Sequence, residues 1–326
     1  MKKNERLVLF FDIEVTAESK HNLAPKPLSI REAFEILGKI PKENRVKYTS
    51  KNKEALYIPD IKQYDNKIVA LINKSDTTVA DPVLSNPKNN ERRTIEKEPN
   101  EGQDYSSHIL IITNDNDPSQ ALALIEHCQG LGISTIKYTL ESIMKNAEQI
   151  CPDKFTRNHP NGEIDQEGKS KKYNVKHSFI FKAHPSDAFK NDINNGTIRS
   201  IELIRDREKH SEFDEDSHFV EKYSTLCIKP ADNKSLVGRG YVALKKLFSS
   251  KKDDYDRARI KFKTPEGMER SIEYDFYSPT SHEYIKKYRI DNFAEELKSS
   301  YDAIYNPIVE KMEALYDEPR DNKKPN

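Results

Sequence analysis

The sequence predicts an α+β protein of two modules, each a small mixed or antiparallel sheet with flanking helices, and a long C-terminal helix. The 326 residues suffice for two domains. Short β-branched and aromatic runs are interspersed with segments of helical apolar spacing, and a polar stretch without periodicity separates two such groups. We therefore expect an N-terminal domain over 1–150, a linker or loop over 151–172, a C-terminal domain over 173–316 and a disordered tail over 317–326.

Periodicity defines the elements of the first module. The run Leu7–Val15 indicates a strand. Ser29 precedes apolar residues spaced as in an amphipathic helix, with Gly38 as the expected end. The segments 55–61 and 67–72 flank a turn-rich tetrad and predict a hairpin. The remaining predictions are a surface loop over 81–105, a buried strand over 108–113, and helices over 120–128 and 139–150.

The second module contains the clearest hairpin of the chain. Residues 257–263 and 269–276 alternate strictly between polar and apolar across the turn at 264–267. Apolar residues recur at helical spacing over Asn292–Leu315, so we expect a long helix there, bent at Pro307. The remaining predictions are strands over 175–183, 200–205 and 224–229, helices near 186–193 and 239–249, and an acidic loop over 206–217.

Composition constrains the cellular setting. Lys and Arg number 54, as do Asp and Glu, so any affinity for nucleic acid has to come from local patches. The longest apolar runs are far shorter than the roughly 20 residues that cross a bilayer, and no signal-peptide core follows the basic N-terminus. The three cysteines form no disulfide framework. We expect a cytoplasmic protein without membrane insertion.

One pair of carboxylates suggests metal chemistry. Asp12 and Glu14 lie two residues apart on a predicted strand and therefore share a face. The segment Phe11–Glu14 resembles the first motif of the DEDD-type exonucleases, in which such a pair binds catalytic metal ions. The aspartates available for the later motifs are Asp115 or Asp117, and Asp187, although the His184–Asp187 spacing departs from that family's signature. A Mg²⁺- or Mn²⁺-dependent nuclease using Asp12 and Glu14 is the first alternative function.

Other site signatures are incomplete. The histidines lack the spacing and the cysteine neighbours of a zinc site, and Cys128 has no identifiable base or oxyanion hole. Val237–Tyr241 contains two glycines but neither the third glycine nor the lysine of a phosphate loop. We expect no cofactor.

Basic residues carry the leading hypothesis. Between Gly238 and Lys263 there are nine basic and three acidic residues. On the predicted strand 257–263, four of the basic residues share the face opposite Ala258, Ile260 and Phe262. Such a row can follow a phosphate backbone without reading sequence. The predicted contacts to DNA are Arg239, Lys245, Lys246, Lys251, Lys252, Arg257, Arg259, Lys261 and Lys263.

Two other segments, 39–53 and 169–182, are also rich in basic residues. An ordinary solvated surface would have the same composition, and this interpretation stays open for every basic segment.

Four segments of the second half of the chain match a known pattern: Ser224–Pro230, Ala258–Lys263, the turn at Glu266–Gly267 and Glu269–Ile272. In these segments the chain resembles the RexA-like DNA-binding proteins of phage-exclusion systems. The resemblance implies an α+β homodimer that binds double-stranded DNA without sequence preference. It also implies a sensor role in anti-phage defence, with a signal passed to an effector protein.

A second alternative function is a protein-interaction module or inhibitor that docks through the helix over 292–315.

Overall fold

The structure, a computed structural model, describes residues 2–20, 24–162, 164, 168, 170–206, 222–275 and 284–317. Its contacts divide the chain into two units. The first comprises Met1–Leu9, Ile13–Phe179 and Tyr288–Asn326, and the second comprises Phe10–Asp12 and Ile180–Lys287. The segment 151–172, predicted as a linker, lies inside the first unit, as does the C-terminal helix.

The fold is mixed α+β, as predicted. The strands are β1 (Arg6–Glu18), β2 (Val46–Thr49), β3 (Glu54–Tyr64), β4 (Lys67–Asp76), β5 (Val83–Asn86), β6 (Glu91–Thr94), β7 (Gln103–Thr113), β8 (Gln120–Glu126), β9 (Thr156–Asn158), β10 (Lys172–Asn174), β11 (Lys176–Ala183), β12 (Thr197–Asp206), β13 (Tyr223–Ile228), β14 (Arg257–Lys263), β15 (Glu269–Asp275) and β16 (Lys287–Ile290). The helices are α1 (Ile30–Lys39), α2 (Ile133–Asn146), α3 (Asp187–Asn195), α4 (Gly240–Lys251) and α5 (Asn306–Asp317).

The largest sheet has the strand order β11-β1-β8-β7-β4-β3-β2, with β16 also paired to β1. The neighbours from β8 to β2 pair antiparallel. Residues Ile68–Ile72 of β4 are at most 1% exposed, so this strand is covered on both faces. A continuous apolar run of this kind is typical of a strand in the middle of a sheet.

Two local predictions in the first unit are confirmed. The Ser29 hydroxyl accepts a hydrogen bond from the Glu32 N–H at 3.1 Å, and the Glu32 carboxylate accepts one from the Ser29 N–H at 3.0 Å, which forms a capping box at α1. The predicted hairpin is β3 and β4, and Asp65 in its turn has a φ of 46°.

The helix predicted over 120–128 is wrong, because residues Gln120–Glu126 form β8. Positions 121–125 are all apolar, and such a short run cannot distinguish a strand from a buried helix by periodicity. Pairing with β7 decides the outcome, since Ile109 lies opposite Ile125 and Ile111 opposite Ala123. The predicted loop over 81–105 likewise contains the hairpin β5–β6 and the start of β7.

The long C-terminal helix is not observed at its predicted length. Helix α5 begins only at Asn306, and 292–305 are irregular. Pro307 has no N–H and fits the first turn of a helix, so it favours a start there instead of a bend. Backbone donors upstream have partners elsewhere in the first unit: the Ile304 N–H donates to Asp60 Oδ2 at 3.2 Å, and the Leu297 N–H donates to the Lys3 carbonyl at 2.7 Å.

A buried charge network joins distant parts of the first unit. Arg6 Nε donates to Glu126 Oε1 at 2.7 Å, and the other carboxylate oxygen lies 2.6 Å from His108 Nδ1. These three side chains are at most 2% exposed. The Tyr305 N–H donates to His108 Nε2 at 3.0 Å, so the ring proton sits on Nδ1 and is donated to Glu126. The network connects β1, β7 and β8 with the segment before α5.

The second unit has a four-stranded antiparallel sheet in the order β13-β12-β14-β15. The hairpin β14–β15 is the one predicted, within the described residues. Phe189 and Ile193 of α3 and Leu244 and Phe248 of α4 pack with Ile260 and other apolar residues of the sheet in one core. The predicted acidic loop over 206–217 and the tail over 317–326 lie almost entirely outside the described residues.

Across the ranges that the structure describes, no helix combines the length and apolar character needed to cross a membrane.

Candidate nucleic-acid interface

The predicted alternation along β14 is confirmed. Ala258, Ile260 and Phe262 are at most 1% exposed and face the core. The four basic residues between and beside them lie on the other side of the sheet, because successive side chains of a strand point to opposite faces.

Carboxylates from both neighbouring strands lie opposite these basic residues. Arg259 is paired with Glu202 of β12 and with Glu273 of β15. Its guanidinium donates to Glu202 Oε2 and to Glu273 Oε2, both at 3.1 Å. Arg259 therefore bridges the two flanking strands.

The pattern extends to both sides of Arg259. Arg257 donates to Glu273 Oε1 at 2.5 Å and to Asp206 Oδ1 at 2.9 Å, and Lys261 donates to Glu202 Oε1 at 2.5 Å. Hydrogen bonds to Asp206 and Glu273 raise the pKa of Arg257, and the bond from Lys261 lowers the pKa of Glu202. We call Arg257, Arg259, Lys261, Glu202, Glu273 and Asp206 the charge ladder.

The charge ladder makes β14 a less favourable surface for binding phosphate. Its three basic residues are matched by three carboxylates, so a phosphate would have to displace an existing ion pair. Lys263, the fourth predicted contact on β14, has no ion-pair partner among the described residues. The β14–β15 hairpin brings Glu273 to this row, whereas Glu202 and Asp206 reach it through the pairing of β12 with β14, which the sequence does not specify.

Helix α4 has a different environment. Leu244 and Phe248 face the core, whereas Lys245 and Lys246 are exposed. Neither lysine has an ion-pair partner in the part of the chain that the structure describes. The helix sequence Gly240–Lys251 contains no Asp or Glu. At its end, Lys251 lies 3.7 Å from Asp254, and Lys252 is exposed.

The nine predicted contacts consequently lie on two surfaces. Because α4 packs on the apolar face of the sheet, its lysines point away from the face that carries the charge ladder. The two groups do not form the continuous patch that their proximity in sequence suggested.

The glycines before α4 serve packing. A Cβ at Gly240 would lie 2.6 Å from the Ile193 carbonyl oxygen, and Gly238 has a φ of 74°. The Gly238 N–H donates to the Asn194 carbonyl at 2.8 Å, and the Tyr241 N–H donates to Asn194 Oδ1 at 2.9 Å. These contacts fix the start of α4 against α3. The Arg239 guanidinium donates to the Ser235 carbonyl at 2.6 Å within the same loop.

Three carboxylates of the nuclease hypothesis have partners of other kinds in the structure. Asp12 Oδ1 lies 2.9 Å from His184 Nδ1, and Asp12 is exposed. Asp117 accepts hydrogen bonds from Ser119 in a local turn, and Asp187 pairs with Lys190 in the first turn of α3. No group of three or more His, Cys, Asp or Glu side chains within the described ranges is arranged to hold a metal ion.

Two further residues have structural roles. Arg45, in the basic segment 39–53, is 9% exposed and donates to the Ile40 and Gly38 carbonyls; burial lowers its pKa. Cys128 is 1% exposed, and burial raises the pKa of its thiol to about 11. A thiol held protonated in this way is a poor nucleophile.

No protein-family model matches the chain, and comparisons with curated proteins and with solved structures return no match.

Proposed function

We propose that this protein binds double-stranded DNA without sequence preference, through the outward face of α4 and the loop that precedes it. The observation that carries the proposal is the contrast between two basic surfaces of one unit. Lys245 and Lys246 of α4 are exposed and have no carboxylate partner among the described residues, whereas three of the four basic residues of β14 are paired in the charge ladder.

Local charge supports α4 as the interface. The segment 229–252 contains seven basic residues and one acidic residue, Asp232. Basic side chains on a fixed helix can replace the counterions of phosphates, and the released counterions supply affinity that does not depend on base sequence. The proposed contacts are Arg239, Lys245, Lys246, Lys251 and Lys252.

The charge ladder has a different role in this proposal. Arg257, Arg259 and Lys261 stabilise the pairing of β12, β14 and β15, and only Lys263 is left as a candidate phosphate contact on β14. The proposed interface thus contains fewer residues than the nine that the sequence suggested.

The resemblance to RexA-like proteins adds a biological setting to the proposal. In this setting the protein is a cytoplasmic homodimer that senses DNA during phage infection and signals to an effector protein. This setting depends on DNA binding and is tested after it.

The test is fluorescence anisotropy with a labelled random-sequence duplex at salt concentrations from about 50 to 300 mM. Wild-type protein should bind with a steep salt dependence. In the variant Lys245→Gln/Lys246→Gln, the slope of log K against log salt should become shallower by about 0.9 for each lost phosphate contact. The affinity loss should be the same for unrelated duplexes.

The matched control is Arg259→Gln/Lys261→Gln, which removes the same charge from the other side of the same sheet. Its salt slope should equal that of the wild type. A shallower slope in the control with an unchanged slope in the α4 variant would move the interface to β14. Absence of binding at the lowest salt concentration would refute DNA binding altogether, and a pull-down would then test the protein-interaction alternative.

The same samples test the nuclease alternative. After incubation with Mg²⁺ or Mn²⁺, the duplex is analysed on a gel. Intact DNA is expected; cleavage that Asp12→Ala abolishes would instead establish a metal-dependent nuclease.

A further inference from the structure

The hairpin β5–β6 of the first unit is a two-stranded ribbon that lies outside the core. Residues 83–96 are all exposed, and among the described residues the two strands pair only with each other. Val83, Leu84 and Ile95 are 54%, 45% and 46% exposed. An isolated two-stranded hairpin is marginally stable at best in water. An exposed ribbon with apolar side chains therefore has the features of an element that binds a partner outside the chain.

The base of the ribbon is fixed to the first unit. The Lys97 ammonium donates to the Thr77 carbonyl at 3.3 Å and to the Val79 carbonyl. The Ile95 N–H donates to the Pro82 carbonyl at 2.9 Å, which continues the ladder beyond the two strands. The free end of the ribbon is consequently presented from an anchored base.

The turn at the free end is stabilised by its own residues. Asn86 Oδ1 accepts a hydrogen bond from the Lys88 N–H, and the Asn86 carbonyl accepts one from the Asn89 N–H, both at 3.2 Å. Asn90 has a left-handed φ of 54°, which asparagine tolerates better than most residues. The turn thus has a defined geometry without contacts to the core.

Three basic side chains of the ribbon have no counter-charge. Lys88, Arg92 and Arg93 are exposed and make no ion pair in the part of the chain that the structure describes. The segment 83–96 also contains Glu91 and Glu96, so its basic residues outnumber its carboxylates by three to two. The guanidinium groups are therefore available to an anionic partner, and their planar donors match the geometry of phosphate.

Arg92 and Arg93 lie on opposite faces of the ribbon, because they are successive residues of one strand. The register places Ser85 beside Arg92 on one face and Leu84 beside Arg93 on the other. A flat partner contacts one of these faces, whereas a groove has a wall on each side. The major groove of B-form DNA is about 12 Å wide, admits a two-stranded ribbon and is bordered by both phosphate backbones.

We infer that the β5–β6 ribbon is a second DNA contact that lies in the major groove. Arg92 and Arg93 bind phosphates on the two walls, Lys88 adds a third positive charge at the turn, and the groove removes Val83 and Leu84 from water. This inference rests on the proposed DNA binding and adds to it a contact from the first unit, whereas α4 belongs to the second.

The first test is the salt dependence of binding to the labelled random-sequence duplex. In Arg92→Gln/Arg93→Gln, the slope of log K against log salt should become shallower by about 1.8, which is 0.9 for each of two phosphate contacts. Arg92→Lys/Arg93→Lys keeps both charges and should keep the slope. The control Lys20→Gln/Lys26→Gln removes two charges from exposed positions of the same unit and should also leave the slope unchanged.

Hydrogen–deuterium exchange gives a readout confined to the ribbon. Amides of β5 and β6 should exchange more slowly when the duplex is added, because the groove excludes water from the ribbon. A duplex saturated with methyl green, a ligand of the major groove, should not give this protection. Protection that methyl green leaves intact would reject the major groove.

The α4 variant separates this inference from the proposed function. An unchanged slope in Arg92→Gln/Arg93→Gln, or unchanged exchange in the ribbon on adding DNA, would overturn the inference. If Lys245→Gln/Lys246→Gln still made the slope shallower, the proposed function through α4 would stand alone. The converse pattern would support the ribbon and reject α4, and absence of binding at the lowest salt concentration would refute both.

Discussion

At the scale of single residues, the same ion-pair chemistry has different consequences according to burial. Arg6 and Glu126 are at most 2% exposed, so each charge depends on the other for solvation. The charge ladder is partly exposed; Arg259, for example, keeps 41% of its side-chain surface, and water screens its contacts. Removal of one partner of the buried pair therefore leaves a costly unpaired charge, whereas the partly exposed pairs mainly determine which charges are available to a ligand.

The buried network provides a stability prediction. Glu126→Gln leaves the Arg6 guanidinium buried without a counter-charge, so we expect a loss of about 3–5 kcal/mol in the free energy of unfolding. Urea denaturation followed by circular dichroism measures this loss.

The control is Glu296→Gln. Glu296 pairs with Lys3 at 2.8 Å, but both side chains are 74% exposed, and the midpoint should not move. Equal midpoints for the two variants would show that the buried network contributes nothing specific.

At the scale of secondary-structure elements, helix ends are readable from sequence, whereas the partners of helix faces are not. The Ser29–Glu32 capping box of α1 follows from residue types three positions apart. Lys154 lies 122 positions from Glu32, and its ammonium nonetheless donates to Glu32 Oε1 at 2.8 Å, a contact that only the fold creates. The basic residues of α4 and β14 show the same limit. The sequence correctly predicted which side chains share a face within each element, but it did not predict that the two basic groups lie on different surfaces.

Glu32 gives the α1 cap a pH dependence. The hydrogen bond from Lys154 and then that from the Ser29 N–H lower the pKa of Glu32 from 4.5 to about 2. A lowered folded-state pKa stabilises the protein above pH 4.5, and the contribution is lost as the pH falls towards 2. Glu32→Gln should therefore destabilise the protein at neutral pH and approach the wild type in acid.

Thermal unfolding at neutral pH and at about pH 3 measures this convergence. The Glu32 side chain is 43% exposed, so solvent screening makes the effect smaller than the full pKa shift implies. Glu43→Gln, at an exposed carboxyl beyond α1, is the control and should show no such convergence. If Glu32→Gln lowers the unfolding temperature by the same amount at both pH values, the ionised Glu32 carboxylate does not stabilise the α1 cap.

At the scale of the whole molecule, the two units are not continuous in sequence. The first is built from three segments, including the C-terminal one, and the second takes Phe10–Asp12 from the middle of β1. Composition and polarity changes along the chain suggested a break at 151–172, but a return of the chain to an earlier unit leaves no local signal.

The two cores should respond separately to mutation. Phe262 is 0% exposed in the core of the second unit, and Phe262→Ala should cost about 3–5 kcal/mol there. Hydrogen–deuterium exchange read by mass spectrometry should show faster exchange in β12 and β14 and unchanged exchange in β4 and β7. Equal acceleration in all four strands would mean that the units unfold as one.

The sequence by itself determined the local features of this protein: the α+β class, the α1 cap, the β3–β4 and β14–β15 hairpins, and the alternation that places Arg257, Arg259, Lys261 and Lys263 on one face. These depend on residues close in the chain, whose spacing fixes their relative direction. Tertiary structure alone decided that 120–126 is a strand, that the last helix begins at Asn306, that Arg6, His108 and Glu126 form one network, and that carboxylates of β12 pair with three of the four basic residues of β14. Each depends on contacts between different elements of the fold, and the free energy of such contacts is set by burial and register, which no local pattern encodes.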